Sequence, residues 1–207
     1  MNIQSLNIAK NITLVAAVKG HSAKKIKIII ENGIRNLGWS TVQQFRELYP
    51  ELKDIKNIRH HFIGHLQRNK VHLLLSHPIE LIHSVDSLNL VRKISEAARE
   101  MNKTQKILLQ INADENKEHG LSMDEVREIL EKRKDFPNIE FEGLMVIPSK
   151  NGNSRYIYKG LRMQRDKLEK QFGTPLSRLS MGMSDDYQIA IEEGATLIRL
   201  GRILFQE

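Results

Sequence analysis

Lys19 is the residue of this sequence best placed for covalent chemistry. It follows residues 13–18 (TLVAAV), a continuous apolar run of the length expected for a strand that is buried on both faces. A lysine at the end of such a strand is expected to be partly desolvated, which frees its amine to form a Schiff base with a carbonyl group. The alternative is a lysine whose side chain extends away from the strand end into solvent.

A second group of residues suited to chemistry lies near the C-terminal end of the sequence. The pattern there predicts a strand, a turn centred on Gly182, a helix with Ser184 as its N-cap, and a buried strand that is followed by Gly201 and Arg202. Main-chain N–H groups at such turns and at a helix start form an anion site, and phosphate is a common occupant. The alternative is that both glycines serve only the geometry of two tight connections.

The chemistry of these two groups points to one kind of ligand. An amine that attacks a carbonyl, combined with a phosphate site, narrows the ligand to a phosphorylated aldehyde or ketone. Arg199 adds a further constraint, because a guanidinium is always charged and only donates hydrogen bonds. Facing a pyridine nitrogen, it would require that nitrogen to be unprotonated. Together Lys19, a phosphate site and Arg199 describe a site for pyridoxal 5′-phosphate (PLP).

The elements that must position these residues form a regular series. Eight short apolar segments alternate with segments of helical periodicity, which predicts a parallel α/β structure and favours a closed (β/α)8 barrel of the TIM type over an open sheet. The sequence contains no linker or repeat, so we expect residues 1–207 to form a single domain. Functional residues of such barrels lie at the carboxyl ends of the strands. The residues predicted at these ends are Lys19, Gly38, Gly64, Ser84, Asn112, Met145, Ser180 and Arg199.

Composition limits the classes of partner. The net charge of +7 would suit an anionic partner. The basic residues are, however, dispersed among acidic ones on several predicted helices, which is typical of solvated helix faces and predicts no specific nucleic-acid binding. The sequence has no cysteine, no signal-peptide pattern at its start and no apolar run near the ~20 residues that span a bilayer. These features predict a cytoplasmic protein without a membrane segment, and we expect a monomer.

Three longer motifs make the interpretation more specific. The segments HFIGHLQRNK (61–70), LSMGMSDDY (179–187) and GATLIRLG (194–201) resemble motifs of the pyridoxal-phosphate homeostasis family, the YggS/PROSC type. Weaker similarities occur at 14–19, 84–87 and 143–145. The resemblance runs over nearly the whole chain. It implies an alanine-racemase-like PLP barrel, PLP fold type III, without the second domain of alanine racemase.

The resemblance also implies roles for individual residues. Lys19 would be the lysine that forms an aldimine with PLP, and Arg199 would face the pyridine nitrogen. Ser180, Gly201 and the main chain of Arg202 would hold the phosphate.

Three further residues complete the predicted cofactor-binding set. Gly182 lies in the phosphate turn, Met181 is expected to pack near the ring as a soft filler, and His61 is expected to line the barrel mouth under the ring. The spacing of His61 and His65 raises the alternative of a metal pair. Because His61 lies in a predicted strand, alternation separates the two side chains. Histidines of the core or the pocket wall are therefore favoured, and no metal site is predicted.

Two segments depart from the family pattern. The family's VSKTKP reads AVKGHS at 17–22, and the asparagine of its FGENxxQE motif is replaced by Ser40. We expect these changes to affect the pocket edge at the second strand, and so the affinity, rather than Lys19 or the phosphate turns.

Three classes of function are consistent with these observations. The first is a PLP carrier or regulator of intracellular PLP (vitamin B6) supply, which would serve PLP-requiring apoenzymes. The second is an amino-acid racemase or related enzyme, and the third is a nucleic-acid-binding protein. A racemase needs acid/base groups on both faces of the cofactor, yet none of the four tyrosines lies at a predicted strand end. Since an arginine at the ring nitrogen also weakens the ring as an electron sink, the sequence favours the non-enzymatic carrier, with no catalytic residues.

Overall fold

A computed structural model describes residues 6, 8–9, 11–113, 120–149 and 152–205. Its eight strands are all parallel, pair in sequence order, and close into a barrel through the pairing of the first strand with the last. The strands are β1 (Thr13–Ala17), β2 (Asn36–Trp39), β3 (Arg59–Phe62), β4 (Ile79–Val85), β5 (Gln105–Ile111), β6 (Ile139–Val146), β7 (Arg178–Ser180) and β8 (Leu197–Leu200). The predicted (β/α)8 barrel is thus confirmed.

Helices follow the strands and cover the outside of the barrel. They are α1 (Ala23–Glu31), α2 (Val42–Leu52), α3 (Val71–Leu75), α4 (Leu88–Glu100), α5 (Met123–Glu131), α6 (Ser154–Phe172), α7 (Tyr187–Glu192) and α8 (Arg202–Phe205), with 3-10 turns at Arg68–Lys70 and Arg133–Asp135. Local sequence signals begin several of them. Ser122 and Glu125 form the predicted reciprocal capping box of α5, and the Ser87 hydroxyl accepts the Leu90 N–H at the start of α4.

The alternation of side chains along each strand divides the interior into two regions. One face of each strand packs against the surrounding helices and forms the larger apolar core. The other face points into the barrel lumen, where a smaller apolar cluster consists of Val15, Leu81, Leu108, Met145 and Leu197. We refer to the space enclosed by the strands as the lumen. No helix in the described ranges is long and apolar enough to cross a membrane.

The connection between β7 and α7 differs from the sequence prediction. Ser184 was expected to cap a helix that begins at Asp185, but α7 begins at Tyr187 and Asp186 occupies its N-cap position. The reason is that the Asp186 carboxylate accepts the main-chain N–H of Met183 at 2.8 Å, which holds the preceding residues in a turn. β7 is also shifted toward the C-terminus, so that Ser180 lies within the strand ladder, paired with Met145 and Leu197.

Candidate cofactor site

The carboxyl ends of β1, β7 and β8 are neighbours at the mouth of the barrel. In the parallel register of β1 and β8, Ala16 pairs with Leu200. This pairing brings the residues after β1 next to those after β8. The main-chain N–H of Arg199 donates to the carbonyl oxygen of Gly182 at 3.0 Å, which joins β8 to the turn after β7. The fold therefore gathers the predicted residues Lys19, Gly182 and Gly201 in one sector of the mouth.

Lys19 lies two residues beyond β1, and its side chain is exposed. The expected partial desolvation is therefore wrong, because the strand ends at Ala17 and the chain turns outward through Gly20, whose φ is +77°. Gln44, a residue of α2, anchors the loop of residues 18–21 that carries Lys19. Its side-chain amide donates to the carbonyl oxygens of Val18 at 2.9 Å and His21 at 3.3 Å, on either side of Lys19. The amine is thus carried on an anchored loop and is open to solvent.

Gly182 is required by the shape of the turn after β7. Its φ is +92°, a conformation that side-chain-bearing residues rarely adopt. A Cβ atom there would also lie 2.6 Å from the Cβ of Ala190 in α7. Met181, by contrast, is fully buried in the core between barrel and helices. The prediction that Met181 packs near the ring is wrong, since alternation along the chain turns it away from the lumen.

Asp186 fixes this turn from the other side. One carboxylate oxygen accepts the Met183 N–H, and the other accepts the hydroxyls of Tyr158 at 2.7 Å and Ser154 at 2.9 Å. Burial and the bond to Asp186 raise the pKa of the Tyr158 phenol. The sequence did not reveal the roles of Asp186 and Tyr158. Asp186 is interpreted from sequence only as an acid in the first turn of a helix, and its partners Tyr158 and Ser154 lie in α6.

Ser180 does not lie at the phosphate turn. Its hydroxyl is fully buried in the lumen, where it bonds to His83 Nδ1 at 2.8 Å and to Arg199 Nη1 at 2.5 Å. These contacts favour a role for Ser180 as a partner of Arg199 over the predicted contact with the phosphate. The hydroxyl in the turn itself belongs to Ser184, which is partly exposed and makes no hydrogen bond within the described part of the chain.

The end of β8 offers space and main-chain groups. A Cβ atom at Gly201 would lie 3.5 Å from Ala17, an ordinary contact distance, with nothing closer. The main-chain N–H groups of Arg202 and Ile203 lie at the start of α8, where a helix offers them no acceptor, whereas the N–H of Leu204 donates to the carbonyl oxygen of Gly201 at 2.8 Å. The Arg202 side chain is exposed and pairs with Asp185 across the rim at 2.5 Å. Because the side chain is paired in this way, the predicted binding of phosphate by Arg202 would involve its main-chain N–H.

Arg199 is a buried cation in the lumen. Its side chain donates to Ser180 and, through Nη2, to the carbonyl oxygen of Val146 at 2.9 Å. Burial lowers the pKa of its guanidinium to about 10. No carboxylate forms an ion pair with it among the residues described. A guanidinium has five N–H donors, so this cation is suited to an acceptor at the barrel mouth.

His61 also lies in the lumen rather than at the mouth, which corrects the prediction for this residue. Its Nδ1 is 2.9 Å from His83 Nε2, and its Nε2 is 3.2 Å from Asn36 Oδ1, at the start of β2. Sequence reasoning missed His83, although its position two residues after Leu81 in β4 could have placed it in the lumen. His65 lies elsewhere, paired with Asp86 at 3.2 Å. The described residues contain no cluster of three His, Asp or Glu able to hold a metal.

Comparison with known proteins shows the family. The model of the alanine racemase N-terminal domain matches residues 2–207. A pyridoxal phosphate homeostasis protein of Aquifex aeolicus is 37% identical over 198 residues, which cover 94% of this chain and 86% of that protein. A protein of the same name from Synechocystis is 36% identical over 200 residues, covering 94% of this chain and 91% of its own. The chain belongs to the pyridoxal phosphate homeostasis protein family.

Solved structures agree with this family assignment. PipY of Synechococcus elongatus, determined with PLP bound, has a TM-score of 0.93 at 30% identity, covering 99% of this chain and 98% of PipY. Alanine racemase of Clostridium difficile has a TM-score of 0.78 at 16% identity, and the match covers 55% of that enzyme. The second likeness shows a shared fold alone. The expected resemblance of the barrel to that of alanine racemase is confirmed at this level.

The residues at this family member's barrel mouth fit PLP. Arg199 is a buried donor without an acidic partner in the described chain, and Lys19 is an open amine on the neighbouring strand end. The turns after β7 and β8 add the Ser184 hydroxyl, which has no hydrogen-bond partner among the residues described, and the uncrowded Gly201. In chemical type, the Lys19 amine suits the aldehyde of the cofactor and the Arg199 guanidinium suits the ring nitrogen. The Ser184 hydroxyl and the main chain at Gly201 suit the phosphate.

Proposed function

We propose that this chain binds PLP and acts in PLP homeostasis. The observation that carries the proposal is the convergence of Lys19, the turns after β7 and β8, and the buried Arg199 at one sector of the barrel mouth. The names of its relatives and the PLP bound to PipY support the same function. When bound, PLP supplies an aldehyde that amines can attack and a ring that withdraws electrons.

Each residue of the site has a defined part in this proposal. Lys19 attacks the aldehyde carbon through its amine, so that a C=N Schiff base forms and the carbonyl oxygen leaves as water. Arg199 donates a hydrogen bond toward the ring nitrogen and keeps it unprotonated. The Ser184 hydroxyl and the main-chain N–H groups of Gly201 and Arg202 bind the phosphate. Because the Lys19 amine is open to solvent, an incoming amine can displace it and release the cofactor.

We further propose that this protein does not turn over amino acids. A second acid/base group opposite Lys19 would be needed for racemisation. Among the residues described, Tyr158 is buried and its hydroxyl is bonded to Asp186, while Tyr49 packs against His60 and His77 outside the lumen. Neither tyrosine can exchange a proton at the mouth. The alternative, a PLP-dependent racemase, would need a base from outside this arrangement.

The decisive experiment maps the covalent bond. Purified protein is loaded with PLP, reduced with borohydride, digested and analysed by mass spectrometry. We expect the pyridoxyl adduct on Lys19. The matched control is Lys24→Ala, which removes an exposed lysine of α1 and should leave the adduct unchanged. An adduct on a different lysine, or its persistence in Lys19→Ala, would show that the site has been misassigned.

Other expectations extend this proposal. We propose that residues 1–207 act as a single barrel domain and that the protein is a monomer, which size-exclusion chromatography with light scattering would test. Delivery of PLP to apoenzymes is proposed from the open position of the Lys19 amine. A cytoplasmic location stays a prediction.

A further inference from the structure

A continuous chain of hydrogen bonds runs through the lumen from Arg199 to the lower end of the barrel. Arg199 Nη1 is 2.5 Å from Ser180 Oγ, which is 2.8 Å from His83 Nδ1. His83 Nε2 is 2.9 Å from His61 Nδ1, and His61 Nε2 is 3.2 Å from Asn36 Oδ1. We call these five residues the lumen chain. They come from β8, β7, β4, β3 and β2, so the chain exists only once the barrel has closed.

The groups at its two ends, a donor above and an acceptor below, together determine the direction of every bond in the lumen chain. Arg199 can only donate, so Ser180 Oγ accepts from it. Asn36 Oδ1 can only accept, so a neutral His61 carries its proton on Nε2 and accepts at Nδ1 from His83, which leaves His83 Nδ1 to accept the proton of Ser180. A neutral His83 that accepts at Nδ1 carries its proton on Nε2 and donates it to His61 Nδ1. His61 then donates from Nε2 to the side-chain oxygen Oδ1 of Asn36. All four bonds point away from Arg199, and both imidazoles are neutral.

Protonation of either histidine would break this order. A second proton on His61 would face the N–H of His83, placing two donors 2.9 Å apart. Both rings are buried, and burial together with the charges of Arg178 and other cations holds the pKa of His61 at about 3 and that of His83 well below its usual range. Charged groups facing the pair include Arg199 above, and Arg59 and Arg178 below.

We propose that the lumen chain makes His83 a positioning residue for PLP, which holds Arg199 through Ser180 with its remaining donors directed to the ring nitrogen. This inference rests on the proposed function of the site. Hydrogen bonds in series strengthen one another in a buried environment, so loss of His83 would leave the Ser180 hydroxyl free to rotate and Arg199 less constrained. His83 itself touches neither the ring nor Lys19 in this scheme.

The chain offers a matched control for effects that are merely structural. His60 neighbours His61 in β3 and is also buried, but alternation places it outside the lumen, where its Nδ1 accepts the Trp39 indole N–H at 3.1 Å. Replacing His60 removes a buried hydrogen bond without touching the lumen chain. A variant at His60 should therefore change stability but not the properties of bound PLP.

The first test is a double-mutant cycle on PLP affinity, measured by fluorescence titration of the apo-protein. We expect His83→Leu to weaken binding about tenfold, the effect of one lost hydrogen bond, and to have no further effect in an Arg199→Met background. His83→Asn, whose amide oxygen can accept from Ser180, should restore most of the affinity, and His60→Leu should leave it unchanged. Additive effects of His83→Leu and Arg199→Met would overturn the proposal.

The second test needs no cofactor. Long-range proton–nitrogen NMR of the apo-protein should show His61 and His83 as single Nε2-protonated tautomers that do not titrate between about pH 8 and pH 5. In Asn36→Leu the acceptor that fixes the direction is lost, and we expect a mixture of tautomers. An Nδ1-protonated ring in the wild type, or an unchanged single tautomer in Asn36→Leu, contradicts the proposal. If wild-type protein failed to bind PLP, the proposed function and the role of His83 toward PLP would both fall, whereas a failure of the tautomer test alone would overturn the order of the lumen chain and leave the proposed function standing.

Discussion

The main-chain N–H of Arg199 and the carbonyl oxygen of Gly182 are 3.0 Å apart, and this bond joins β8 to the turn after β7, where we propose that the phosphate binds. It requires Gly182 to keep a φ of +92° while α7 packs closely over the turn. The shape of the cofactor site thus depends on a glycine that contributes no side chain to it.

Replacing this glycine should therefore cost stability. In Gly182→Ala the new methyl group meets Ala190 at 2.6 Å in a strained backbone conformation. We expect a loss of about 2 kcal/mol in the free energy of unfolding, measured by urea denaturation. Gly160→Ala is the control, since nothing lies within 4 Å of its Cβ position in α6 and alanine favours a helix. That variant should be more stable than the wild type by up to about 1 kcal/mol. Equal effects of the two would contradict this account of the turn.

The two serines of the turn segment should have different roles in binding. Ser184→Ala removes a hydroxyl proposed to bind phosphate, so PLP affinity should fall about ten- to a hundredfold, while affinity for pyridoxal, which lacks the phosphate, should stay the same. Ser180→Ala acts through Arg199 and should weaken both ligands alike. Calorimetric titration of both variants with both ligands distinguishes the two roles. A phosphate-specific loss in Ser180→Ala would restore the original assignment of that residue.

The contrast between these serines shows what sequence reasoning could and could not predict. The order of eight strands was predictable, because most strands contain a short apolar run and all of them alternate with segments of helical periodicity. Whether Ser180 faces the lumen or the turn depends on where β7 ends, and a shift of the predicted strand by one residue changes the answer. His83 escaped notice because its partners are 22 and 97 residues away. Contacts at that separation follow from closure of the barrel and not from local pattern.

Stability should fall steeply on mild acidification. Burial is the main cause that lowers the pKa of His60 to about 4, that of His61 to about 3 and that of His83 well below 6.5. The three histidines contribute their full stabilisation above pH 6.5, the pKa of histidine in the unfolded chain. This stabilisation is lost as the pH falls below 6.5, because the unfolded chain then binds protons that the buried rings of the folded protein do not. The loss continues down to the folded values.

Three such histidines give a slope that approaches about 4 kcal/mol per pH unit below pH 6. Urea denaturation at about pH 7, 6 and 5 would measure it. His60→Asn should reduce the slope by about a third, since it removes one of the three buried rings. A stability independent of pH in this range would show that the buried rings can be protonated in the folded protein.

Nucleic acid should bind weakly and without sequence preference. The net charge of +7 is distributed over many helices, and several of its basic residues are paired with acids, as Arg155 is with Glu192 and Glu193. We expect any association with duplex DNA to disappear at physiological salt, because it would rest on counterion release alone. Fluorescence anisotropy over a range of salt concentrations would check this. Tight binding of one sequence at that ionic strength would contradict it.

The last prediction separates the carrier from the enzyme. We expect the PLP-loaded protein to exchange amines at Lys19 without removing the α-proton of an amino acid. In the proposed site a guanidinium and not an acid faces the ring nitrogen, which weakens the ring as an electron sink. The hydroxyl of Tyr158 is bonded to Asp186. The holo-protein is incubated with L- and D-amino acids in heavy water while NMR follows the α-proton, and Lys19→Ala serves as the control. Proton exchange at an ordinary enzymatic rate of ~1–10³ per second, lost in Lys19→Ala, would identify an enzyme. Release of PLP to the amine with the α-proton retained is the result that we expect.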